Sequence, residues 1–369
     1  MPIPDLTHAL GGLLSSHLGL GKSRVETLVV IIVGLVSART VNLSHIASQF
    51  PGSAKHASSY RRLQRFFQHV RVDNDWVAQM MVRLLNQRGP WLLALDRTNW
   101  KVGSRDINIL VLALVTQRFR VPLMWTILDK QGSSNTGERV ALMQRYLAVF
   151  GASSIQLLLA DREFIGHDWF DFLNKNNIAF AIRLKQNMLL MRADGRKLTF
   201  QSLLRRHRST KTIHTWSGWI PGMQRTAGNQ LSFAARRIKN GEWLIIASNR
   251  EPKNALRQYR RRWAIECLFG DTKTRGFNLE DTRITDPEKL DLWLAIITLT
   301  MSWSYRCATK VMGQSAIRKK AHGYPEKSWF RTGLDLLRRW IIHQPQTAAQ
   351  VWKKLWPIRK STLKIHRVV

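Results

Sequence analysis

Three carboxylates and a group of cations are the residues best suited to chemistry. Asp96 follows the apolar run 91–95 and Asp161 closes the apolar run 155–159. Each sits at the end of a predicted strand, where a rigid sheet delivers side chains to a site. Taken singly, either Asp has a plainer reading as a cap for a turn or helix. The third carboxylate, Glu266, lies on a predicted helix over 254–273. There Tyr259, Arg262, Glu266 and Lys273 stand at offsets of 0, 3, 7 and 14. At about 100° per residue they fall within a wedge of about 60°. The alternative is a solvated face in which Arg262 and Glu266 pair at i,i+4. Arg260, Arg261 and Arg262, however, add more positive charge than one Glu balances. Two Asp and one Glu are hard oxygen ligands suited to Mg²⁺, with Mn²⁺ as a substitute. Two such ions about 3.5–4 Å apart can activate a water or a 3′-hydroxyl and stabilise the leaving oxygen of a phosphodiester.

The elements that must position these residues follow from apolar periodicity. Runs 91–95, 107–115 and 121–128 predict an antiparallel meander, and 136–150 has helical spacing. A strand at 155–159, a helix near 167–175 and a strand at 179–184 come next. Residues 186–242 hold 11 Lys+Arg against Asp194 and Glu242, with β-leaning pieces and Gly breaks. They read as a basic β-rich insertion, after which 243–247 is another strand. The order of three strands, helix, strand, helix and strand is that of an RNase H-like core. The predicted fold class is therefore α/β, with a retroviral-integrase-type catalytic core interrupted at about 186–242 and helical regions at both ends.

Residues 1–88 read as a helical region, 89–310 as the catalytic domain and 311–369 as a basic helical tail suited to dimerisation or DNA contact. In the first region, 25–35 has the apolar density of a buried helix. Residues 42–50, a Pro51-Gly52-Ser53 break and a second helix carrying Arg61, Arg62 and Arg65 resemble a helix-turn-helix. A plain helical hairpin with a solvated basic face is the alternative. The tail carries 13 Lys+Arg against Glu326 and Asp335, and its tryptophans include Trp329, Trp340, Trp352 and Trp356.

Composition points the same way. The chain has 58 Lys+Arg and 24 Asp+Glu, a formal charge of +34 over 369 residues. Such an excess repels itself in a compact fold and calls for a polyanion. It is spread along the chain, unlike a juxtamembrane cluster. Cys267 and Cys307 have no metal-ligand spacing, which argues against zinc and a disulfide framework and fits a reducing cytoplasm. The longest apolar run, 28–36, is too short for a bilayer, so neither a membrane helix nor a signal peptide is expected. Most of the 15 Trp are expected in the core.

At Tyr259-x2-Arg262-x3-Glu266-x6-Lys273 the chain resembles a known family. The string matches the Y-R-E-K signature of the bacterial "insertion sequence four" family of DDE transposases without a gap. The words Leu95-Asp96-Arg97-Thr98-Asn99-Trp100, Ala160-Asp161-Arg162-Glu163-Phe164 and Arg262-Trp263-Ala264-Ile265-Glu266 are similar too. The likeness covers about residues 90–310. It implies that Asp96, Asp161 and Glu266 ligate metal and that Tyr259, Arg262 and Lys273 contact phosphates near the cut. It also implies cut-and-paste movement through a DNA hairpin, by a homodimer synapsing two element ends in the bacterial cytoplasm. Double-stranded DNA, as element ends and as target, is the expected partner, and Arg162 is a further DNA-contact candidate.

Hairpin closure bends the backbone sharply, and a flipped base relieves that bend. Trp243, opening the strand after the insertion, is expected to push out or hold the base, and Trp263 to stack on it. The alternative places both in the core. Two rival functions remain at this level: an inactive DNA-binding relative acting as a regulator, and an RNase H-like nuclease.

Overall fold

A computed structural model describes residues 8, 10–12, 14–15, 19–50, 52–207, 209–313, 315–321, 323 and 325–355. Pro51 of the proposed helix-turn-helix break, Trp356 and the rest of the tail from 356 onward lie outside the described residues. In chain order come α1 (Lys22–Ala38), α2 (Leu43–Ala47), α3 (His56–His69), α4 (Asn74–Leu84), β1 (Trp91–Val102), β2 (Arg105–Val115), β3 (Arg120–Leu128), α5 (Thr136–Phe150) and β4 (Ile155–Ala160). Then follow α6 (His167–Lys175), β5 (Phe180–Arg183), β6 (Leu189–Met191), β7 (Lys197–Thr199), α7 (Phe200–Leu204), β8 (Ile213–Gly218), β9 (Leu231–Arg237) and β10 (Trp243–Ser248). The remainder is α8 (Pro252–Tyr259), a 3₁₀ turn (Arg260–Arg262), α9 (Trp263–Thr272), α10 (Pro287–Met312), α11 (Trp329–His343) and α12 (Pro345–Leu355). The chain divides into two compact units, one of Arg88–Asn99 and Ile107–Cys267, the other of Met1–Gln87, Trp100–Asp106 and Leu268–Val369.

The first unit is built on an eight-stranded mixed sheet of order β3-β2-β1-β4-β5-β10-β9-β8. β4 runs parallel to β1 and to β5, whereas β10 runs antiparallel to β5 and β9. The parallel centre is covered on both faces, which is why residues 91–95 and 157–160 are continuously apolar and buried. A capping box between Asn135 and Glu138 starts α5 at the residue the periodicity predicts. This large mixed α/β sheet is consistent with an RNase H-like core. Segment 186–242 does not stand apart from it, because β8 and β9 extend the same sheet beyond β10 while β6 and β7 pair with each other.

The second unit is helical, around the 26-residue α10. Asp286 caps it through the Lys289 N–H, and Pro287 occupies its first turn. α10 packs against α1, α3, α4, α11 and α12 and is buried around most of its circumference. Its buried hydroxyls donate within the helix: Thr298 to Leu294 O at 2.7 Å and Ser302 to Thr298 O at 2.9 Å. Gly333 lets α11 approach closely, since a Cβ there would lie 1.8 Å from Ser304 O. No helix among the described residues is long and apolar enough to cross a membrane.

By contact, α10 groups with the terminal helices and packs against α1, α3 and α4 from the other end of the chain. One expectation needs correction: the helix over 254–273 is not continuous. A 3₁₀ turn separates α8 from α9, and at about 120° per residue it rotates the two faces relative to the straight-helix wheel.

Candidate active site

β1 and β4 lie in parallel register, with Leu95 opposite Ala160. The next residue on each strand is an acid, so Asp96 and Asp161 emerge side by side. Asp96 does not end its strand, as the sequence suggested. β1 continues to Val102 and turns into β2 through Gly103-Ser104, so Asp96 sits where the pairing with β4 stops. Asp161 does not serve as the helix cap; its carboxylate lies 3.4 Å from the Tyr259 hydroxyl, which donates to it.

The 3₁₀ turn supplies the cation. Successive side chains there point about 120° apart, so Arg260 is exposed, Arg261 half-buried and Arg262 buried. Arg262 donates Nη1 to Asp96 Oδ2 at 3.0 Å and Nη2 to Glu266 Oε1. The i,i+4 pair and the convergent site are thus the same interaction. Burial works against the Arg262 charge, but Tyr259, Asp161, Asp96 and Glu266 outweigh it and raise its pKa. Burial pushes the Asp96 carboxyl up to about 6, against the Arg97 backbone N–H and the Arg262 charge. Burial likewise pushes the Tyr259 phenol up, so it stays a hydrogen-bond donor at neutral pH.

The residues just after the two aspartates form a polar clasp that the sequence does not announce. Glu163 accepts from Arg97 Nε at 3.1 Å, Arg97 Nη2 at 3.3 Å and the Ser134 N–H at 3.1 Å. Arg97 also donates to Asn108 Oδ1, and the Asn108 amide donates to Lys130 O and Gly132 O. Arg139 donates to Ser134 Oγ and to Glu163 O. This network ties the segment after Asp96 to the segment after Asp161 and fixes both acids. Its only sequence sign was that Arg97 and Glu163 stand within the words containing Asp96 and Asp161.

A family model of the transposase DDE domain matches residues 87–303, more than half of the chain. The chain belongs to the DDE transposase family. It is therefore a transposase, an enzyme acting on DNA in recombination and in the movement of a mobile element. No curated protein matches the transposase.

The other predicted contact residues of the transposase each have their own local surroundings. Lys273 belongs to the helical unit, where it pairs with Glu280 at 2.7 Å and lies 5.5 Å from the centre of the Trp100 ring. Arg162 is exposed beside Asp161. Trp263 is 63% exposed and so is not a core residue. Trp243 is half-buried, has the His214 ring edge-on at 5.8 Å, and lines a cavity of about 400 Å³ with Gln186, Gln201, Arg205 and His207. On α3, Arg61 and Arg65 are exposed, whereas Arg62 turns inward. It donates to Thr27 Oγ1 at 2.8 Å and Ser23 O at 3.1 Å and pairs with Glu26 at 3.3 Å, so its role is to fasten α3 to α1.

No three His, Cys, Asp or Glu side chains among the described residues gather tightly enough to hold one ion. Asp96 and Glu266 are spanned by the Arg262 guanidinium instead. The donor chemistry nonetheless fits a hard divalent cation, since Asp96, Asp161 and Glu266 offer carboxylate oxygens, and a cation would take over the charge balance that Arg262 now gives Asp96 and Glu266.

Proposed function

We propose that the transposase binds the terminal inverted repeats of its own insertion sequence as a homodimer, cuts the ends and joins them to target DNA. The observation that carries this reading is the Arg262 guanidinium shared by Asp96 and Glu266, with Tyr259 on Asp161. It draws acids from two strands and a helix to one cationic centre. Asp96, Asp161 and Glu266 would hold Mg²⁺ or Mn²⁺, which supplies activation of the attacking oxygen and stabilisation of the leaving one. Tyr259, Arg262 and Lys273 would bind phosphates near the cut, and Arg162 the adjoining backbone. Arg61 and Arg65 would face the end DNA from α3, and residues 186–242 would act as an insertion in the RNase H-like core. Membership of the insertion sequence four family, carried by Tyr259, Arg262, Glu266 and Lys273, belongs to the same proposal.

Cutting would proceed through a DNA hairpin. Trp263, exposed three residues before Glu266, would stack on an extruded base, and Trp243, at the wall of a cavity, would hold it. The test is a supercoiled plasmid carrying both element ends, incubated with and without Mg²⁺. Mg²⁺-dependent nicks and hairpins at the ends support the reading. Binding of the ends with no cutting under either condition would make the protein a regulator.

A further inference from the structure

Helix α8 packs across β5, β8, β9 and β10. Beside it runs a groove of about 720 Å³, lined in part by Leu256, Arg257 and Arg260. Its floor is apolar: Ile213 from β8, Ile238 after β9, Leu244 from β10 and Leu256 from α8. Around it stand Lys211, Lys239, Arg257 and Arg260, all exposed. No carboxylate lines the groove, and among the described residues none of these four cations is in an ion pair. Arg236 is held to the wall by a 3.0 Å hydrogen bond from Nε to Thr210 O.

Four uncompensated cations around an apolar strip cost free energy that a polyanion with apolar surface of its own recovers. A duplex turns phosphates and sugars outward and hides its base faces, so it would leave the floor uncovered. An unpaired strand offers both components, bases for the floor and phosphates for the rim. The groove also adjoins the carboxylate cluster through the chain itself. Arg260 opens the 3₁₀ turn whose third residue, Arg262, bonds Asp96 and Glu266. We propose that this groove binds single-stranded DNA, with bases against Ile213, Ile238, Leu244 and Leu256 and phosphates on Lys211, Lys239, Arg257 and Arg260. The origin of that strand, a nicked end released beside Glu266, rests on the reading of the carboxylates as the cutting site.

Binding of a short fluorescent oligothymidylate to the full chain, and of a blunt duplex of equal length, tests this. The double variant Lys239→Ala/Arg257→Ala removes two exposed cations and keeps the fold. It should weaken oligothymidylate binding about tenfold or more and reduce its salt slope by about two, with the duplex little affected. Ile238→Ser should weaken the single strand several-fold without changing the slope. Unchanged oligothymidylate affinity in the double variant overturns the proposal. So does an equal loss for both probes, which assigns the groove to duplex. Plasmid nicking by the unaltered protein is scored separately, so failure of the cutting-site reading leaves the oligothymidylate result standing.

Discussion

Arg262 lies 3.0 Å from Asp96, a residue 166 positions away in the chain. Their side chains are 11% and 18% exposed, so the pair is largely removed from water. Removing one member leaves a charge with a poor substitute for hydration. Arg262→Ala should therefore lower stability, by at most the low end of the roughly 3–5 kcal/mol seen for broken buried pairs. Glu266, the other partner, is partly solvated and softens the loss. Asp96→Asn in the Arg262→Ala background should cost less than in the native chain, and thermal unfolding of the double-mutant cycle measures the coupling.

The three carboxylates should be separable from DNA binding. Asp96→Asn, Asp161→Asn and Glu266→Gln are each expected to abolish strand cleavage while leaving affinity for the element ends nearly intact. Each change removes an acidic ligand and few phosphate contacts. Plasmid nicking and gel-shift titration report the two properties; native cleavage by any one variant removes that residue from the site.

The clasp makes a distinct prediction. Glu163→Ala leaves Arg97 without its bidentate partner in a site where the two side chains are 15% and 21% exposed. A loss of about 3 kcal/mol is expected, together with reduced cleavage because Asp96 and Asp161 lose their common anchor. Glu163→Gln retains the acceptor oxygen and should recover part of both. Equal unfolding temperatures for the native chain and Glu163→Ala would show that the network does not hold the two segments.

Trp243→Ala should fold, bind ends and nick normally, yet accumulate nicked ends and form few hairpins. An abasic site at the flipped position should restore some hairpin product, since no base then needs to be held. Unchanged hairpin yield would return Trp243 to a packing role.

In the helical unit, burial pushes the Asp335 carboxyl up, but Lys327 at 2.9 Å and Arg331 at 2.9 Å more than reverse this and hold it below its ordinary value. A depressed acid pKa contributes stability that is present above the unfolded value and lost as pH falls through the folded one. Acidification below about pH 4 should thus cost the native chain on the order of 1 kcal/mol more than it costs Asp335→Asn. High salt should shrink the difference. Unfolding temperatures from neutral to acid pH, at two salt concentrations, check both signs.

Local pattern alone determined most elements and the identity of the candidate acids. The helices at 136–150 and 167–175 were legible because apolar spacing acts within a few residues. Strands 91–95 and 155–159 were legible because a doubly covered parallel sheet demands unbroken apolar runs. Asp96, Asp161 and Glu266 stood out by type and position. What pairs with what was not legible, since it depends on residues far apart in the chain. Only the parallel register of β1 with β4 sets Asp96 beside Asp161, and only the 3₁₀ turn aims Arg262 at Asp96 while leaving Arg260 exposed. Arg62 looked like a DNA contact because a helix wheel shows a basic face; whether that face meets solvent or another helix is decided by packing, here against Ser23, Glu26 and Thr27. Likewise the neighbours of α10 were not legible, because a helix buried around most of its circumference can take them from anywhere in the chain, and the tertiary fold draws them from both ends.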